Sequence, residues 1–436
     1  MHIGKRIAKL RREQQLSLVD LADGHLSKSE LFQIEAGHRL PKPAVLEYLA
    51  QKLDIPADHL LRYDRENPFL MKQLRQIHAE LDKGCVQKAE LLLKEIGETY
   101  PYISSVEQEL YYLLLKNYLY IYLKEFSQAV KFFDEQIVPL VDDTIVIQRL
   151  SSTSAINLYY YVQARVFQYK HRYLESNRFF CKLLTQPLDE HQQAHVFYNM
   201  ARNYYFLNEF EQAKTYGHDA LPLSLKHHMW PLVTQTYILI GMIGRRLKDY
   251  ETAEEFYKWV LKLTELHEMV EFQTCVLDNL GNLYLDQGKY RESLAYFQKD
   301  LYLSKHINSP QLIISYCNVL EIYLALSELE EYHVLMDEAK QVCEHEEDWY
   351  RLLIIEAKRF YKSGDVKNYE TLMEKCINYF SRKNMLFFIL EEIKHLACHL
   401  AKQKNHAKAR HYFNLLREDD AKFLQKDNMY LEPRSR

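Results

Sequence analysis

Residues 277–297 read LDNLGNLYLDQGKYRESLAYF, and this stretch decides the fold. Leu277, Leu280 and Tyr284 recur at the spacing of one helix face, so the first half predicts a helix. A polar turn follows at residues 287–289. A second helical stripe starts directly after the turn. The stretch is therefore one helix–turn–helix unit.

The second half of this unit recurs along the chain. An aromatic or aliphatic residue opens the pattern, and a small residue usually follows three positions later. The opening residues are Val86, Phe126, Tyr173, Phe210, Tyr250, Tyr290, Leu329, Val366 and His406. Successive members are about forty residues apart, which is typical of a repeat array. The sequence therefore predicts about nine helix–turn–helix units.

Each unit resembles the tetratricopeptide repeat. The small residue of that family in the first helix (helix A) is matched by Ala164, Ala201, Gly241, Gly281, Ala357 and Ala397. Its small residue in the second helix (helix B) is matched by Ala89, Ala129, Ser176, Ala213, Ala253, Ser293 and Ala409. Small side chains let helix axes approach to ~8–10 Å. In two repeats a tyrosine, Tyr332 or Tyr369, replaces the small residue of helix B, which predicts looser packing or altered curvature in those repeats. The resemblance implies a right-handed α-solenoid whose helices A line a concave groove.

A second pattern lies near the N-terminus, where residues 16–37 read LSLVDLADGHLSKSELFQIEAG. Ser17 precedes a short helical stripe as an N-cap, and Gly24 interrupts the stripe where a tight turn needs a positive φ. Another helix restarts after Ser27 and stops at Gly37. Two short helices joined by a glycine-containing turn predict a helix-turn-helix.

From Ile3 to Leu61 the chain resembles the five-helix, repressor-type (Xre-like) helix-turn-helix domain. The matching pieces include I3-G-K-R-I7, L16-S-L-V-D-L-A22 and S27-x-x-x-L31-x-x-I34-E35-x-G37. The third helix of such domains lies in the major groove of DNA. Carried over by position, the DNA-binding residues would be Lys28, Ser29, Phe32, Gln33, Arg39 and Lys42. The resemblance also pairs Arg11 with Glu35, as a buried ion pair between the first and third helices.

Two departures from the family pattern affect DNA recognition. Leu18 and Val19 replace the usual polar pair that opens the second helix, which removes one expected phosphate contact. Phe32 stands where a small polar residue is common, so base reading would use apolar contact with thymine methyls. The alternative is that a five-helix domain of this shape binds protein instead of DNA.

The composition argues against a disulfide-stabilised protein and against a membrane-spanning one. The 436 residues include only 11 Gly and 11 Pro, which favours an almost wholly helical protein. The net charge is −4, but residues 1–65 carry +2 and the first helix is rich in Lys and Arg, which is consistent with phosphate contacts at that end. Seven scattered cysteines indicate reduced thiols of a cytosolic protein. No leader or long apolar run is present, so we expect a soluble cytoplasmic protein without a membrane segment.

The groove predicted for the repeats also offers a binding site. Tetratricopeptide arrays contact peptides through a few outward positions of helix A. Those positions here give the candidate peptide-binding residues Arg165, Asn199, Arg202, Gln235, Arg245, Asp278, Asn279, Asn282, Asn318 and Glu321, with Tyr161 and Lys358 beside them. An Asn amide can clamp a peptide backbone by donating and accepting one hydrogen bond each. The alternative is that these amides bond adjacent repeats to each other.

Searches for catalytic and metal motifs find no support for an enzyme. HExxH, GxSxG, GxGxxG and P-loop patterns are absent. His191 and His195 have the spacing of two zinc ligands on a helix, but no third ligand accompanies them. We therefore expect no catalytic residues, no cofactor and no metal.

A helix-turn-helix at residues 1–65, a repeat domain at 66–418 and a capping helix with a tail at 419–436 resemble the pheromone-responsive regulators that include the Rgg, NprR and PlcR proteins. In length the chain is more similar to the NprR branch. The resemblance implies a cytoplasmic quorum-sensing transcriptional regulator that binds operator DNA and a short signalling peptide, as a homodimer or higher homo-oligomer.

A rival function comes from related arrays that bind response regulators of a phosphorelay and sequester or dephosphorylate them. A third option is a scaffold for the tail of a partner protein. The sequence does not reveal the peptide, the operator, or whether the peptide promotes or releases DNA binding.

Overall fold

The computed structural model describes residues 3–141, 153–383 and 385–423. Over these ranges the regular secondary structure is entirely helical, which confirms the all-α prediction. The chain divides into two compact units, Met1–Leu188 and Asp189–Arg436, and each is described separately. The predicted domain boundaries at residues 65 and 418 stay predictions. The predicted capping helix is the end of a helix that reaches Phe423, and the predicted tail beyond it lies outside the described residues.

The first unit begins with five short helices and continues with three helix pairs. The five are α1 (Ile3–Glu13), α2 (Leu18–Ala22), α3 (Lys28–Glu35), α4 (Pro43–Lys52) and α5 (Ala57–Leu61). The pairs are α6 (Pro68–Asp82) with α7 (Val86–Thr99), α8 (Val106–Tyr122) with α9 (Phe126–Phe132), and α10 (Thr153–Tyr169) with α11 (Tyr173–Leu184). A π-helical turn (Phe133–Ile137) and a 3₁₀ turn (Val138–Leu140) follow α9.

The second unit consists of six further helix pairs. They are α12 (Glu190–Phe206) with α13 (Phe210–Lys226), α14 (Trp230–Arg246) with α15 (Tyr250–Leu266), α16 (Val270–Asp286) with α17 (Tyr290–His306), α18 (Leu312–Leu326) with α19 (Leu329–Gln341), α20 (Glu346–Ser363) with α21 (Val366–Arg382), and α22 (Leu390–Lys402) with α23 (His406–Phe423). A 3₁₀ turn (Leu386–Ile389) precedes α22.

The predicted repeat register is confirmed at every anchor. Each of the nine opening residues found in the sequence is the first residue of a helix B. Two positions before each anchor the backbone is left-handed, at Gly84, Lys124, His171, Asn208, Lys248, Gly288, Ser327, Gly364 and Lys404. A residue with positive φ ends one helix and reverses the chain, and glycine does so without strain. The same turn therefore joins helix A to helix B in all nine pairs.

Small and large side chains complement each other inside the pairs. A Cβ atom added to Gly241 would collide with the ring of Tyr257, and one added to Gly281 would collide with the ring of Phe297. Both rings are buried, so the missing Cβ of helix A is the space that the aromatic residue of helix B occupies. The seven small residues predicted in helix B are also buried.

The two tyrosines that replace a small residue are packed and not loose. Tyr332 is 0% exposed and Tyr369 is 2% exposed. The hydroxyl of Tyr332 donates to Glu356 Oε2 at 3.0 Å, and the hydroxyl of Tyr369 lies 2.8 Å from His395 Nδ1. Each hydroxyl thus finds a partner on the next helix A, which compensates for burying a polar atom.

Candidate functional site

The helix-turn-helix is built by the local signals that its sequence carries. Ser17 and Asp20 form a reciprocal capping box at the start of α2, and the Ser27 hydroxyl accepts from the amide of Glu30 at 3.0 Å at the start of α3. Between the helices Asp23 (φ 38°) and Gly24 (φ 76°) are both left-handed. Nothing lies within 4 Å of a Cβ placed on Gly24, so this glycine serves the turn and not the packing.

The predicted ion pair locks α1 against α3. Arg11 donates from Nε and Nη2 to the two carboxylate oxygens of Glu35, at 2.7 and 2.8 Å. Both side chains are about nine-tenths buried. A bidentate pair of this kind fixes orientation as well as distance. We call residues 3–61 the head. Within the head, α1 therefore sets the position and direction of α3.

The residues predicted to read DNA lie on the outer side of α3. Leu31, Ile34 and Glu35 are buried, whereas Lys28, Ser29 and Phe32 are exposed and Gln33 is half-buried. Phe32 exposes 54% of its surface, so its ring is accessible to a ligand on this side of α3. The face of α3 that the fold leaves open therefore begins with a cation and a hydroxyl and continues with an aromatic ring.

Two partners of these residues were not foreseen from the sequence. His38 Nδ1 lies 3.1 Å from Gln33 Oε1, which steadies the amide that is predicted to read a base. Arg39 Nη1 lies 3.0 Å from Glu30, so its charge is partly neutralised without DNA. Lys42 is the exposed residue just before α4. The DNA-binding role of all six predicted residues stays a prediction.

The first helix carries the cations Lys5, Arg6, Lys9, Arg11 and Arg12, which are consistent in sequence with phosphate contacts, but three of them are not available for such contacts. Arg11 is paired with Glu35, and the other two are Arg6 and Lys9. Arg6 is 1% exposed and Lys9 is 9% exposed, because both point into the first unit. Lys9 Nζ donates to Gln136 Oε1 at 2.9 Å. Arg12 remains exposed.

Arg6 joins the head to the first repeats. Its Nε and Nη2 donate to Glu109 Oε2 on α8, at 2.8 and 2.6 Å. Three further hydrogen bonds run to the carbonyl oxygens of His59, Ser104 and Ile103, at 2.6, 2.5 and 3.1 Å. Burial, and next the charge of Arg6, lower the pKa of His59 to about 4. His59 is therefore neutral at physiological pH and adds no second charge to the junction.

An apolar contact accompanies this ion pair. Val106, the first residue of α8, belongs to the buried core of the head together with Ile3 and Ile7. Its amide also donates to the carbonyl of Tyr63 at 2.9 Å. The head and α8 therefore share a core, and the head is anchored to the repeats that follow it.

On the helices A of the second unit, three of the four predicted asparagines bond their own helix. The side-chain amides of Asn199, Asn279 and Asn282 donate to the carbonyl oxygens four residues earlier, at 2.7, 2.9 and 2.9 Å. Such bonds compensate for the indifferent helix propensity of asparagine. Asn199 and Asn279 are also buried, as is Arg202, so a ligand reaches them only after the neighbouring side chains move.

The other polar residues form a set of links between successive helices A, here called the polar ladder. Arg245 on α14 pairs with Asp286 on α16 at 2.6 Å. Asp278 on α16 accepts from Asn318 on α18 at 2.6 Å. Lys358 on α20 bridges Glu321 on α18 at 2.8 Å and Glu392 on α22 at 3.0 Å.

Asp286 and Glu392 were missed by the sequence reasoning. They lie 41 and 34 residues after their partners Arg245 and Lys358, close to one repeat length. Oppositely charged residues one repeat apart are therefore the signal that would have found them. The alternative considered for the asparagines, bonding between repeats, holds for Asn318.

One carboxylate of the polar ladder, Asp278, and one beside it, Asp300, have raised pKa values. Burial raises the pKa of Asp278 to about 6, although Arg245 and the amides of Asn318 and Asn282 oppose the shift. Burial, and next the negative charge of Asp278, raise the pKa of Asp300 to about 7. Asp300 is 3% exposed and accepts from the Ser304 hydroxyl at 3.2 Å. The second unit therefore holds two acids whose charge changes near neutral pH.

The remaining predicted residues occupy separate places. Gln235 is half-buried on α14. Arg165 lies in the first unit on α10, where it donates to the hydroxyl groups of Tyr161 and Tyr169. The structure therefore gathers Arg245, Asp278, Asn318 and Glu321 in one ladder and leaves Arg165 in the other unit.

Metal binding has no geometric support among the described residues. The rings of His191 and His195 are 5.3 Å apart, but no group of three or more His, Cys, Asp or Glu side chains suited to a metal is found in residues 3–141, 153–383 and 385–423. Over the same ranges, no helix is long and apolar enough to span a membrane.

Comparison with known proteins identifies the repeats. Residues 234–265 and 276–311 match family models described as tetratricopeptide repeat. These two segments are tetratricopeptide repeats. The first match lies within α14 and α15, and the second lies within α16, α17 and the connection that follows, so the two matches cover two of the helix pairs that carry the polar ladder.

Other known proteins are similar to most of the chain. The transcriptional activator NprA of Geobacillus stearothermophilus is 21% identical over 410 residues, which cover 91% of this chain and 97% of NprA. The apo form of the quorum sensor NprR from B. thuringiensis superimposes with a TM-score of 0.63 at 19% identity, over 80% of this chain and 98% of NprR. NprR in complex with its cognate peptide NprX gives a TM-score of 0.55 at 20% identity, over the same shares.

Aspartyl phosphate phosphatase F from Bacillus subtilis shares the fold as well, with a TM-score of 0.54 at 17% identity, over 83% of this chain and 96% of that protein. At these identities a structural likeness shows the fold alone. Together with the NprA match and the tetratricopeptide matches, it confirms the resemblance to peptide-sensing regulators of the Rgg, NprR and PlcR kind.

Proposed function

We propose that this protein is a cytoplasmic quorum-sensing transcriptional regulator. Its head binds operator DNA through α3, and a short signalling peptide bound on the helices A of the tetratricopeptide array switches it. It acts as a homodimer or higher homo-oligomer, because two heads are needed to read a palindromic operator. It has no catalytic residues and needs no cofactor.

The geometry of α3 is the observation that carries the proposal. The helix is capped by Ser27, fixed by the Arg11–Glu35 pair, and open to the outside at its first two turns. Helix-turn-helix domains place these turns over base edges in the major groove. Lys28 can reach guanine or phosphate, Gln33 can bond adenine, and Phe32 can contact thymine methyls.

The charge of the head supports the same use, with a narrower set of cations than the sequence suggested. Arg6 and Lys9 are buried, so phosphate contacts fall to exposed residues such as Lys28, Lys42 and Arg12. The logarithm of the DNA-binding constant falls with the logarithm of the salt concentration, and each neutralised phosphate makes this slope steeper by about 0.9. We therefore expect a modest salt dependence, of about three to four phosphates per head.

Peptide binding is supported by the arrangement of the polar ladder. Its members lie on successive helices A and already bond each other, so an incoming peptide exchanges partners with them and changes the links between repeats. A ligand shifts a conformational equilibrium only by its difference in affinity for the two states. Exchange of ladder contacts supplies such a difference.

Fluorescence anisotropy of labelled promoter DNA tests the proposal. The full-length protein is titrated at two salt concentrations, with and without synthetic peptides from the neighbouring reading frame. We expect specific binding that one peptide changes, and a loss of affinity in Lys28→Ala. Lys72→Ala removes an exposed lysine of α6, outside the head, and is the matched control. Equal binding to promoter and unrelated DNA at both salts would overturn the proposal that the head recognises a specific operator.

A second candidate function is action on a response regulator of a phosphorelay. The fold that the chain shares with aspartyl phosphate phosphatase F supports it. It would use the tetratricopeptide repeats, with DNA binding secondary.

Phosphate release from a phosphorylated response regulator, with and without this protein, separates the two functions. Faster release that is insensitive to Lys28→Ala would favour the second. Co-purification without faster release would indicate sequestration.

A further inference from the structure

The last three helix pairs enclose a cavity that none of the predicted sites includes as a whole. Its volume is about 520 Å³, within the range of small-molecule and side-chain pockets. Side chains from α18, α20, α21 and α22 line it. Two of them, Glu321 and Lys358, were among the groove positions named from the sequence, so the cavity extends those positions toward the C-terminal repeats.

The cavity carries one carboxylate more than it has cations. Its charged lining consists of Glu321, Glu391, Glu392, Lys358 and Lys394. Lys358 is held by Glu321 and Glu392 together, and although burial opposes its charge, these two carboxylates raise its pKa. One ammonium shared by two carboxylates leaves a net negative charge at the lip of the cavity.

The neighbouring wall is aromatic. Tyr361 is 39% exposed, and its ring stands edge-on to the ring of His395 with centroids 4.7 Å apart. The His395 Nδ1 atom is engaged by the Tyr369 hydroxyl at 2.8 Å. Burial, and next the charge of His399, lower the pKa of His395, so this ring is neutral at physiological pH. The aromatic wall therefore adds no positive charge to offset the surplus carboxylate.

We propose that this cavity binds a cationic group, the guanidinium or ammonium of the signalling peptide, between the Glu321–Lys358–Glu392 triad and the ring of Tyr361. A guanidinium gains charge-assisted hydrogen bonds from a carboxylate and a cation–π contact from an exposed tyrosine ring. An anion would have to displace a carboxylate from Lys358. The assignment of the cation to the signalling peptide rests on the proposed function. The binding of a cationic group by the cavity does not.

A defined small probe tests the cavity without knowledge of the peptide. The full-length protein is labelled with ¹³C at the methionine methyl groups, and the signal of Met373, which lines the cavity, is assigned with Met373→Leu. Arginine amide with its α-amine acetylated (Nα-acetyl-L-arginine amide) is then titrated, and the isosteric, neutral Nα-acetyl-L-citrulline amide is the paired control. We expect the Met373 signal to shift with arginine amide and to stay in place with citrulline amide.

Three variants separate charge from folding. Glu392→Gln removes the surplus charge and should weaken arginine amide binding about fivefold. Lys358→Gln frees both carboxylates and should strengthen the binding of arginine amide. A variant whose cavity had collapsed could not bind the probe more tightly. Glu330→Gln changes an exposed carboxylate of α19 outside the lining and should have no effect. Equal shifts with both probes, or equal affinity in Glu392→Gln and Glu330→Gln, would overturn the proposal.

The outcome is independent of DNA. Arginine amide binding in a protein that does not recognise its promoter would leave the cation site standing and remove the proposed regulator. If a peptide switches promoter binding but arginine amide does not shift the Met373 signal, the proposed regulator stands and the cation site is removed.

Discussion

Replacing Arg6 should loosen the head from the repeats. Arg6→Met keeps most of the apolar stem but removes five hydrogen bonds, two of them to the Glu109 carboxylate. Removing one partner of a buried ion pair costs about 3–5 kcal/mol. Glu109 is 18% exposed and regains some water, so we expect the lower end, about 3 kcal/mol. Since each 1.4 kcal/mol is about a factor of ten, the head should open roughly a hundredfold more often.

Hydrogen exchange measured by mass spectrometry reads this opening directly. In Arg6→Met the amides of α1 should exchange about a hundredfold faster, whereas those of α12 to α23 should be unchanged. Arg12→Met, an exposed arginine on the same helix, is the matched control. Adding Glu109→Leu should recover part of the loss, because it removes the orphaned carboxylate. Equal exchange in the Arg6 and Arg12 variants, with both folded, would refute the reasoning.

Three further predictions concern packing, titration and base reading. Gly281→Ala should cost about 1–3 kcal/mol by overpacking against Phe297, and Phe297→Leu should cost less in that background than in the wild type. Urea unfolding of the four proteins measures both costs, and an equal cost of Phe297→Leu in the two backgrounds would show that the residues are uncoupled. The raised pKa of Asp300 means that the contribution of this group to the free energy of unfolding is most favourable below about pH 4 and is lost as the pH rises through about 7. Asp300→Asn should therefore gain up to about 4 kcal/mol over the wild type at pH 8 and nothing at pH 4, and parallel pH profiles of the two proteins would contradict this. Gln33→Ala should weaken operator binding by about 1–3 kcal/mol and relax the specificity at one base pair. If anisotropy shows the same weakening on all DNA sequences tested, Gln33 contacts the phosphate backbone of the DNA and not a base.

Local sequence signals predicted much of the fold. The capping serines Ser17 and Ser27 and the turn glycine Gly24 each act within a few residues of themselves, and the structure confirms all three. The nine anchors were found because a repeat presents the same signal again and again. The Arg11–Glu35 pair came from the family pattern and lies where that pattern places it.

Contacts between distant parts of the chain were not visible in the sequence. Arg6 looks like one more cation of a basic helix, and its partner Glu109 is 103 residues away. Nothing in the neighbourhood of either residue marks it as buried, because burial depends on how the head docks. The asparagines illustrate the same limit, since Asn279 and Asn318 look alike in sequence but bond their own helix and a neighbouring helix.

The recurring left-handed turn has a consequence for how such a gene can change in length. In every pair the turn residue lies two positions before the helix B anchor, and the tight glycine–aromatic contacts join residues 16 apart in two pairs, Gly241 with Tyr257 and Gly281 with Phe297. A duplication or deletion of one whole pair, about forty residues, would reproduce these relations. An insertion of a few residues within a pair would break both. The array can therefore grow or shrink only in steps of one pair, and small length changes should be confined to the connections between pairs.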